Sequence, residues 1–457
     1  MSTTNTLHRM KVGPDPKLPF LSLATSPSAM LELFNRNIFD ANGSGQRATA
    51  ITLDHMDYRP HRRCFFLFGV RFTDRPDEEP LKVIVSINKD PGKLSHVPAL
   101  QRANQNGHDG NAKAEPAIFL PDHGCLIEFF PQDWKLTALR KACDTTEIAK
   151  LILGTSGDAA GVSCSATMLQ YRPHRRCVFL YTLKGPGAGD RHEVIGKVYE
   201  DGKTPTATDV FNIQASLRGE ARERGLIIPR PLAVVEGHNV LLMEKIGGKD
   251  LKELLFDADD RVSMIRTAAN ALSKLHDLPF EGQVHSLPKH LARVRKHADR
   301  MFLVVPDLTT DLLELLDRLE TLERRYPAGD RCLIHGDYNA GQILLDDDSV
   351  AIVDLDRASL GDPAIDVGNF LAQFPKDALR TGDDRLRDLG EPFLAEYLTR
   401  TERADGFLQR IRVLQGLSLL RMSLRHFRVA PLSYETEGLS SLPVLLMKEA
   451  EACVAGL

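Results

Sequence analysis

The chain contains no run of about 18 apolar residues, so no membrane-spanning helix is expected. Its first residues, "MSTTNTLHRMKVGPDPKLPFL", also lack the apolar stretch of a secretory signal. Charge of one sign is missing too. A formal net charge of -4 leaves no global field to hold nucleic acid or an anionic membrane surface. The seven cysteines are odd in number and scattered, without paired metal-type spacing. That argues against a disulfide framework or zinc site and fits reduced, half-buried thiols. None sits in the Cys/His context of a catalytic thiol. Together these absences lead to the expectation of a cytoplasmic protein with neither nucleic acid nor membrane as partner.

What the chain does have is ordinary globular composition, 42% apolar and 26% charged residues over 457 positions. That length suggests about three domains. It also repeats itself. The string "YRPHRRC" occupies residues 58–64 and returns at 171–177. Before each copy stands a helix-like pattern, "AMLELFNRNIF" or "TEIAKLILG", then a strand-like run, "ATAITLDHMD" or "VSCSATMLQ". After each comes an aromatic-rich strand, "FFLFGVRF" or "VFLYTLKG". Further on, "KVIVSINKD" resembles "EVIGKVYED", and "HGCLIEFFPQDWKL" aligns without gaps to "HNVLLMEKIGGKDL". The pattern predicts a duplicated unit of roughly one hundred residues, an antiparallel sheet with a helix. Residues 30–140 should superpose on 145–251. Each "YRPHRRC" then forms a hairpin turn, with proline presetting φ and the arginines at the tip.

After Asp250 the periodicity becomes helical. "RVSMIRTAANALSKLH" places Val262, Ile265, Ala269, Leu272 and Leu275 on one core-facing stripe. "DLLELLDRLETLERR" and "LQRIRVLQGLSLLRMSLRHF" read the same way. One stretch of different type interrupts them, "CLIHGDYNAGQILLDDDSVAIVDLDRASLGDPAIDVGNFLAQF". Its runs "GQILLD" and "VAIVDLD" flank a turn-like "DDDS" and predict a small hairpin. Asp337 lies on one side of that hairpin and Asp354 at the end of its second strand. Carboxylates and an amide so placed suit orienting a hydroxyl and holding magnesium, a hard ion that prefers oxygen.

His-Gly-Asp, four residues, an amide residue, Ile-Leu, then a strand ending in Asp and "GDPAID" resembles the aminoglycoside phosphotransferase and choline kinase family. The resemblance covers most of residues 162–457. It implies an α+β, protein-kinase-like two-lobe fold, with an antiparallel-sheet N-lobe and a mostly helical C-lobe. Here that fold is preceded by a degenerate duplicate of the N-lobe. The implied divisions are 1–145, the degenerate repeat; 146–247, the nucleotide-binding N-lobe; and 248–457, the helical C-lobe. By the kinase template, Asp337 is the catalytic Asp, Gln342 and Asp354 hold Mg2+, and Lys197 in "VIGKVY" grips the phosphates of ATP or GTP. Glu244 and Ile246 offer backbone groups to the base, with Met243 behind it. Asp356 supports the metal site. Asp362 and Asp366 cap the following helix and tie down the catalytic loop, and His335 is a packed residue. Arg357 is either substrate-facing or solvated.

This chain departs from the family in two places. Gln342 stands where most members have Asn, although maltokinase-like members carry a similar "HGD...GQVL" form. The helix after Lys197 has no glutamate where the lysine's usual partner falls; Gln214 is there, with Glu220 and Glu223 later. In the second copy "YRPHRRC" occupies the place of a glycine-rich loop, so Arg172, His174, Arg175 and Arg176 are candidates for phosphate contact, with Arg175 and Arg176 foremost. In the first copy Ser86 aligns with Lys197. That copy is read as kept for packing, substrate-side contacts or dimerisation, which puts a homodimer among the expected states. "GPGAGD" at 185–190 reads as a flexible hairpin, and "SLPK" at 286–289 as a letter match only.

The implied function is transfer of the γ-phosphoryl group of ATP or GTP to a small-molecule alcohol, a sugar or amino-sugar first. Alternatives are an aminoglycoside or amino-alcohol acceptor, or a non-catalytic nucleotide-binding pseudokinase.

Overall fold

In both places "YRPHRRC" forms the tight link between two strands. In the computed structural model, which describes residues 15–39, 47–74, 78–97, 117–153, 162–185, 192–257, 260–301, 306–346, 349–400, 405–429 and 442–457, the first copy joins β1 (Ala48–Arg59) to β2 (Arg63–Phe72) and the second joins β6 (Ser163–Arg172) to β7 (Arg176–Lys184). The first sheet continues with β3 (Leu81–Asn88), β4 (Ala117–Leu120) and β5 (Cys125–Phe129), in the order β1-β2-β3-β5-β4. The second continues with β8 (His192–Tyr199), β9 (Pro231–Val234) and β10 (Val240–Glu244), in the order β6-β7-β8-β10-β9. Both sheets are antiparallel and share this order, and their registers correspond. Tyr58 faces Cys64 as Tyr171 faces Cys177. Ser86 lies between Phe65 and Leu126, as Lys197 lies between Val178 and Leu241.

The two turns are closed by the same chemistry. Arg62 N–H donates to the Arg59 carbonyl, and Arg175 N–H to that of Arg172, both at 3.0 Å. His61 and His174 take left-handed backbone at φ 54 and 61. Asp15 accepts from Tyr58 O–H at 2.9 Å and from His61 N–H at 2.8 Å. Asp133 accepts from Tyr171 O–H at 3.0 Å and from His174 N–H at 2.7 Å. A carboxylate therefore satisfies the turn's inward-pointing donors. Both acids open a shared pattern, Asp-x-Lys-Leu-x-x-Leu, at 15–21 and 133–139. The expected division at 145/146 separates Asp133 from the turn it holds.

Strands β2 and β3 are buried almost throughout, because both faces of the first sheet are covered. Tyr58, Phe66, Phe68, Val83 and Val85 belong to one continuous core with the helical part of the chain. Leu67 and Ile84, one residue out of phase and so on the opposite face, join the core of the second sheet with Phe179, Tyr181 and Val194. The first copy is thus built into the molecule, which supports the packing role. Dimerisation finds no support in these covered faces.

The helical part holds the Arg261–His276 helix as its pattern requires, with Ile265, Ala269, Leu272 and Leu275 buried. Val262 departs from the expected stripe and is 42% exposed, since it lies in the first turn just after the Asp260 cap. The Phe407–Val429 helix packs along β1 and the Ala364–Thr381 helix. The predicted hairpin is present as β13 (Ile343–Asp346) and β14 (Ser349–Ile352), and β11 (Lys249–Asp250) adds a third strand. Cys332–Ile334 (β12) pairs with Ser359–Gly361 (β15) beneath the catalytic stretch. Residues 186–190 of "GPGAGD" lie outside the described residues. No helix among the described residues is long and apolar enough to cross a membrane.

Candidate active site

Strand β8 presents Lys197 toward the end of β14, with its side chain only 8% exposed. There Asp354 adopts left-handed backbone, φ 62, a conformation unusual for a residue with a Cβ, and this turns the chain into the short 355–357 helix. Lys197 Nζ lies 2.5 Å from Asp354 Oδ1 and 2.6 Å from Asp356 Oδ1. Tyr199, two residues on and therefore on the same face of β8, donates its hydroxyl to Asp356 at 3.0 Å. Arg176 reaches in from the second turn, its Nη1 3.2 Å from both oxygens of Asp354 and 3.0 Å from Asp356. Its other amino group donates to Gln170 at 3.2 Å.

Two cations and two carboxylates thus form one network. Burial alone would raise the Asp354 pKa, but the charges of Lys197 and Arg176 outweigh it and hold the carboxyl far below the usual carboxylate range. The Tyr199 phenol is pushed well up, by burial first and then by Asp356 and Asp354. Gln342 joins the edge, its amide nitrogen 3.5 Å from Asp354 Oδ2.

The catalytic loop is fixed from behind. Asp366, fully buried, accepts from the backbone N–H of His335 at 2.6 Å and of Gly336 at 2.8 Å. It also lies 3.3 Å from His276 Nε2. Gly336 has φ 76, and a Cβ there would stand 2.7 Å from the Arg357 carbonyl, so this position requires glycine. His335 is buried with Nε2 2.9 Å from the Val353 carbonyl. Tyr338 donates to the Ala268 carbonyl at 2.8 Å, and Asn369 donates to the Tyr338 carbonyl at 2.8 Å. Between these anchors the Asp337 side chain is 41% exposed, with Arg357 Nη1 3.8 Å away. Asp362 accepts from Ala364 N–H at 3.0 Å and pairs with Arg410.

The lysine's partner is where sequence reasoning did not look. Gln214 is buried but turns its amide nitrogen to Met243 Sδ at 3.7 Å, and its Oε1 has no hydrogen-bond partner among the described residues. Glu220 and Glu223 are exposed. Asp354 and Asp356 hold Lys197 instead. At the end of β10, Met243 is buried, and Glu244 N–H is already committed to the Arg230 carbonyl at 2.9 Å, which leaves its carbonyl as the group to offer.

Of the two turn arginines assigned to nucleotide, Arg176 joins the carboxylates and Arg175 does not. Arg175 faces the charges of Asp57, Arg428, Glu200 and Arg63. His174 is turned inward, with Nε2 3.0 Å from Glu128. Tyr199 and Gln170 were missed by sequence reasoning; the alternation of β8 already put Tyr199 on the face of Lys197. No three His, Cys, Asp or Glu side chains gather as a metal site among the described residues. Two carboxylates and an amide are nevertheless a hard-oxygen donor set of the kind magnesium takes when it keeps several waters.

The phosphotransferase enzyme family matches residues 183–408, a span from the end of β7 to the start of the Phe407–Val429 helix. No curated protein matches. Among solved structures, a choline kinase from Cryptosporidium parvum is 13% identical with a TM-score of 0.48, covering 69% of this chain and 96% of that one. A microcompartment-associated aminopropanol kinase is 17% identical at 0.48, covering 68% and 96%. An ethanolamine kinase from Plasmodium vivax is 14% identical at 0.45, covering 67% and 87%. Through residues 183–408, the chain is thus similar to the phosphotransferase enzyme family.

Proposed function

We propose that the chain transfers the γ-phosphoryl group of ATP or GTP to a hydroxyl of a sugar. The observation that carries this reading is Asp337: an exposed carboxylate on a backbone held rigid by buried Asp366, joined by a short hairpin to the Lys197–Asp354 network. In that arrangement Asp337 orients the hydroxyl and takes its proton, while Lys197 and Arg176 donate to phosphate oxygens. The carbonyl of Glu244 and the N–H of Ile246 receive the base in front of Met243. Asp354, Asp356 and, after rotation of its amide, Gln342 are the residues that would hold Mg2+, which neutralises phosphate charge when bound. A cationic aminoglycoside or amino-alcohol is the weaker choice, because Arg357 and Arg421 are the charges beside Asp337.

A phosphate-transfer screen over sugars, amino-sugars, aminoglycosides and amino-alcohols, with Asp337→Asn alongside, tests it. Turnover that falls at least about a hundredfold in the variant is expected. If both proteins bind nucleotide equally and neither turns over any alcohol, the reading fails.

A further inference from the structure

Folding brings both copies of "RPHRR" to one place. Arg59, Arg62 and Arg63 come from the first turn and Arg172 and Arg175 from the second. The Leu287–Met301 helix adds His297 and Arg300, and the Phe407–Val429 helix adds Arg421, Arg425 and Arg428. These groups act on one another. Burial first, and then Arg63, Arg428 and Arg175 against the opposing pull of Asp57, push Arg59 down to about 10. Burial, then Arg176 and Arg425, do the same to Arg172. His297 is lowered to about 4 by burial and then by Arg428, Arg59 and Arg300.

The acids within this cluster are few. Asp57 pairs with Arg428 Nη2 at 2.5 Å and lies 3.7 Å from Arg59 Nε. Glu200 also acts on Arg63 and Arg175, but it is already paired with Lys135 at 3.1 Å. The Nε atoms of Arg59, Arg63 and Arg428 are buried without a hydrogen-bond partner among the described residues. Guanidinium groups crowded together, with donors unused, suit an anion with several oxygens. The cluster also reaches the catalytic loop: Arg425 acts on both Arg172 and Arg421, and Arg421 is acted on by Asp337 and Arg357.

We propose that this cluster binds a phosphate group already carried by the acceptor, so that the substrate is a phosphorylated sugar rather than a free one. The inference rests on the phosphotransferase reading above. In the reaction the acceptor oxygen forms a bond to the γ-phosphorus of the nucleoside triphosphate and its proton passes to Asp337. The bond between the γ-phosphorus and the bridging oxygen breaks, and the nucleoside diphosphate leaves with that electron pair. The arginines take no part in bond making; they seat the acceptor's phosphate and so place its free hydroxyl. The doubled motif then has a reason, since each turn contributes arginines to one site.

The test uses the full chain and titration calorimetry with glucose 6-phosphate, glucose, inorganic phosphate and pyrophosphate, together with phosphate transfer to the two sugars. Binding of glucose 6-phosphate over glucose, weakening with salt, is expected. Arg428→Gln should lower that affinity about tenfold and raise KM with little change in kcat, leaving nucleotide affinity intact. Arg62→Gln and Arg300→Gln, outside the Asp57 pair, serve if Arg428→Gln does not fold, and should act in the same direction. Four outcomes overturn the proposal. The first is the absence of binding by any phosphate compound, and the second is binding that the arginine variants leave unchanged. The third is binding of pyrophosphate with turnover of glucose only, which makes the cluster an effector site. The fourth is intact glucose 6-phosphate binding with no transfer to any alcohol, which removes the function and leaves only an anion site.

Discussion

Lys197 Nζ sits 2.5 Å from Asp354 Oδ1, and that contact replaces the helix glutamate this chain does not have. The lysine is therefore oriented by the same carboxylate that Gln342 and Arg176 also contact. Lys197→Ala should reduce kcat/KM by at least about a hundredfold. Gln214→Glu, which restores the expected residue type, should not raise activity, because Lys197 is held elsewhere. A carboxylate in that buried position beside Met243 should instead cost about 3 kcal/mol. Thermal unfolding and steady-state kinetics of the two variants check both statements.

Arg176 competes for the carboxylates that a divalent cation would use. Its guanidinium pKa is raised, burial opposing and Asp354 and Asp356 outweighing it, so it is charged throughout the working range. Arg176→Ala should bind Mg2+ several-fold more tightly without nucleotide, and should raise KM for nucleotide about tenfold. Calorimetric Mg2+ titrations and nucleotide kinetics measure the two effects.

The turn anchors should differ in weight. Asp133→Ala leaves Tyr171 O–H and His174 N–H without their acceptor in a fully buried site, costing about 3 kcal/mol. Asp15→Ala removes the matching bonds, but His61 is 26% exposed and water can replace part of what is lost. Denaturant unfolding should therefore rank Asp133→Ala as the more harmful change.

His174 gives the fold a pH dependence of known sign. Burial lowers its pKa, but Asp133 and Glu128 outweigh burial and raise it above the ordinary 6.5. The stabilisation from this imidazolium is complete below about pH 6.5 and fades as pH rises through the folded-state value. Melting temperatures of wild type and His174→Gln should differ most at low pH and converge as pH increases.

The catalytic stretch was legible because its chemistry is local. Asp337, Gln342 and Asp354 are close in sequence, and the family resemblance singled out Lys197 in "VIGKVY". The repeat was legible from its letters, and the two strand orders and registers correspond. Less visible were Asp15 and Asp133: their shared Asp-x-Lys-Leu-x-x-Leu pattern precedes the first repeat at 15–21 and ends it at 133–139, so the paired segments do not align the two acids. Val262 misled because hydrophobic spacing says which face a residue joins, not whether the helix end reaches the core.

The sequence by itself determined the elements and the hairpin turns and offered candidate residues for phosphoryl transfer, since these depend on periodicity and short-range motifs. The tertiary structure decided which charges meet. Arg176 meets Asp354 and Arg428 meets Asp57 across gaps of 178 and 371 residues, and charges on the Phe407–Val429 helix act on arginines of both turns. Coulomb forces act through space while spacing rules act along the chain, so a loop-tip arginine became part of a buried, partner-seeking cluster only after folding.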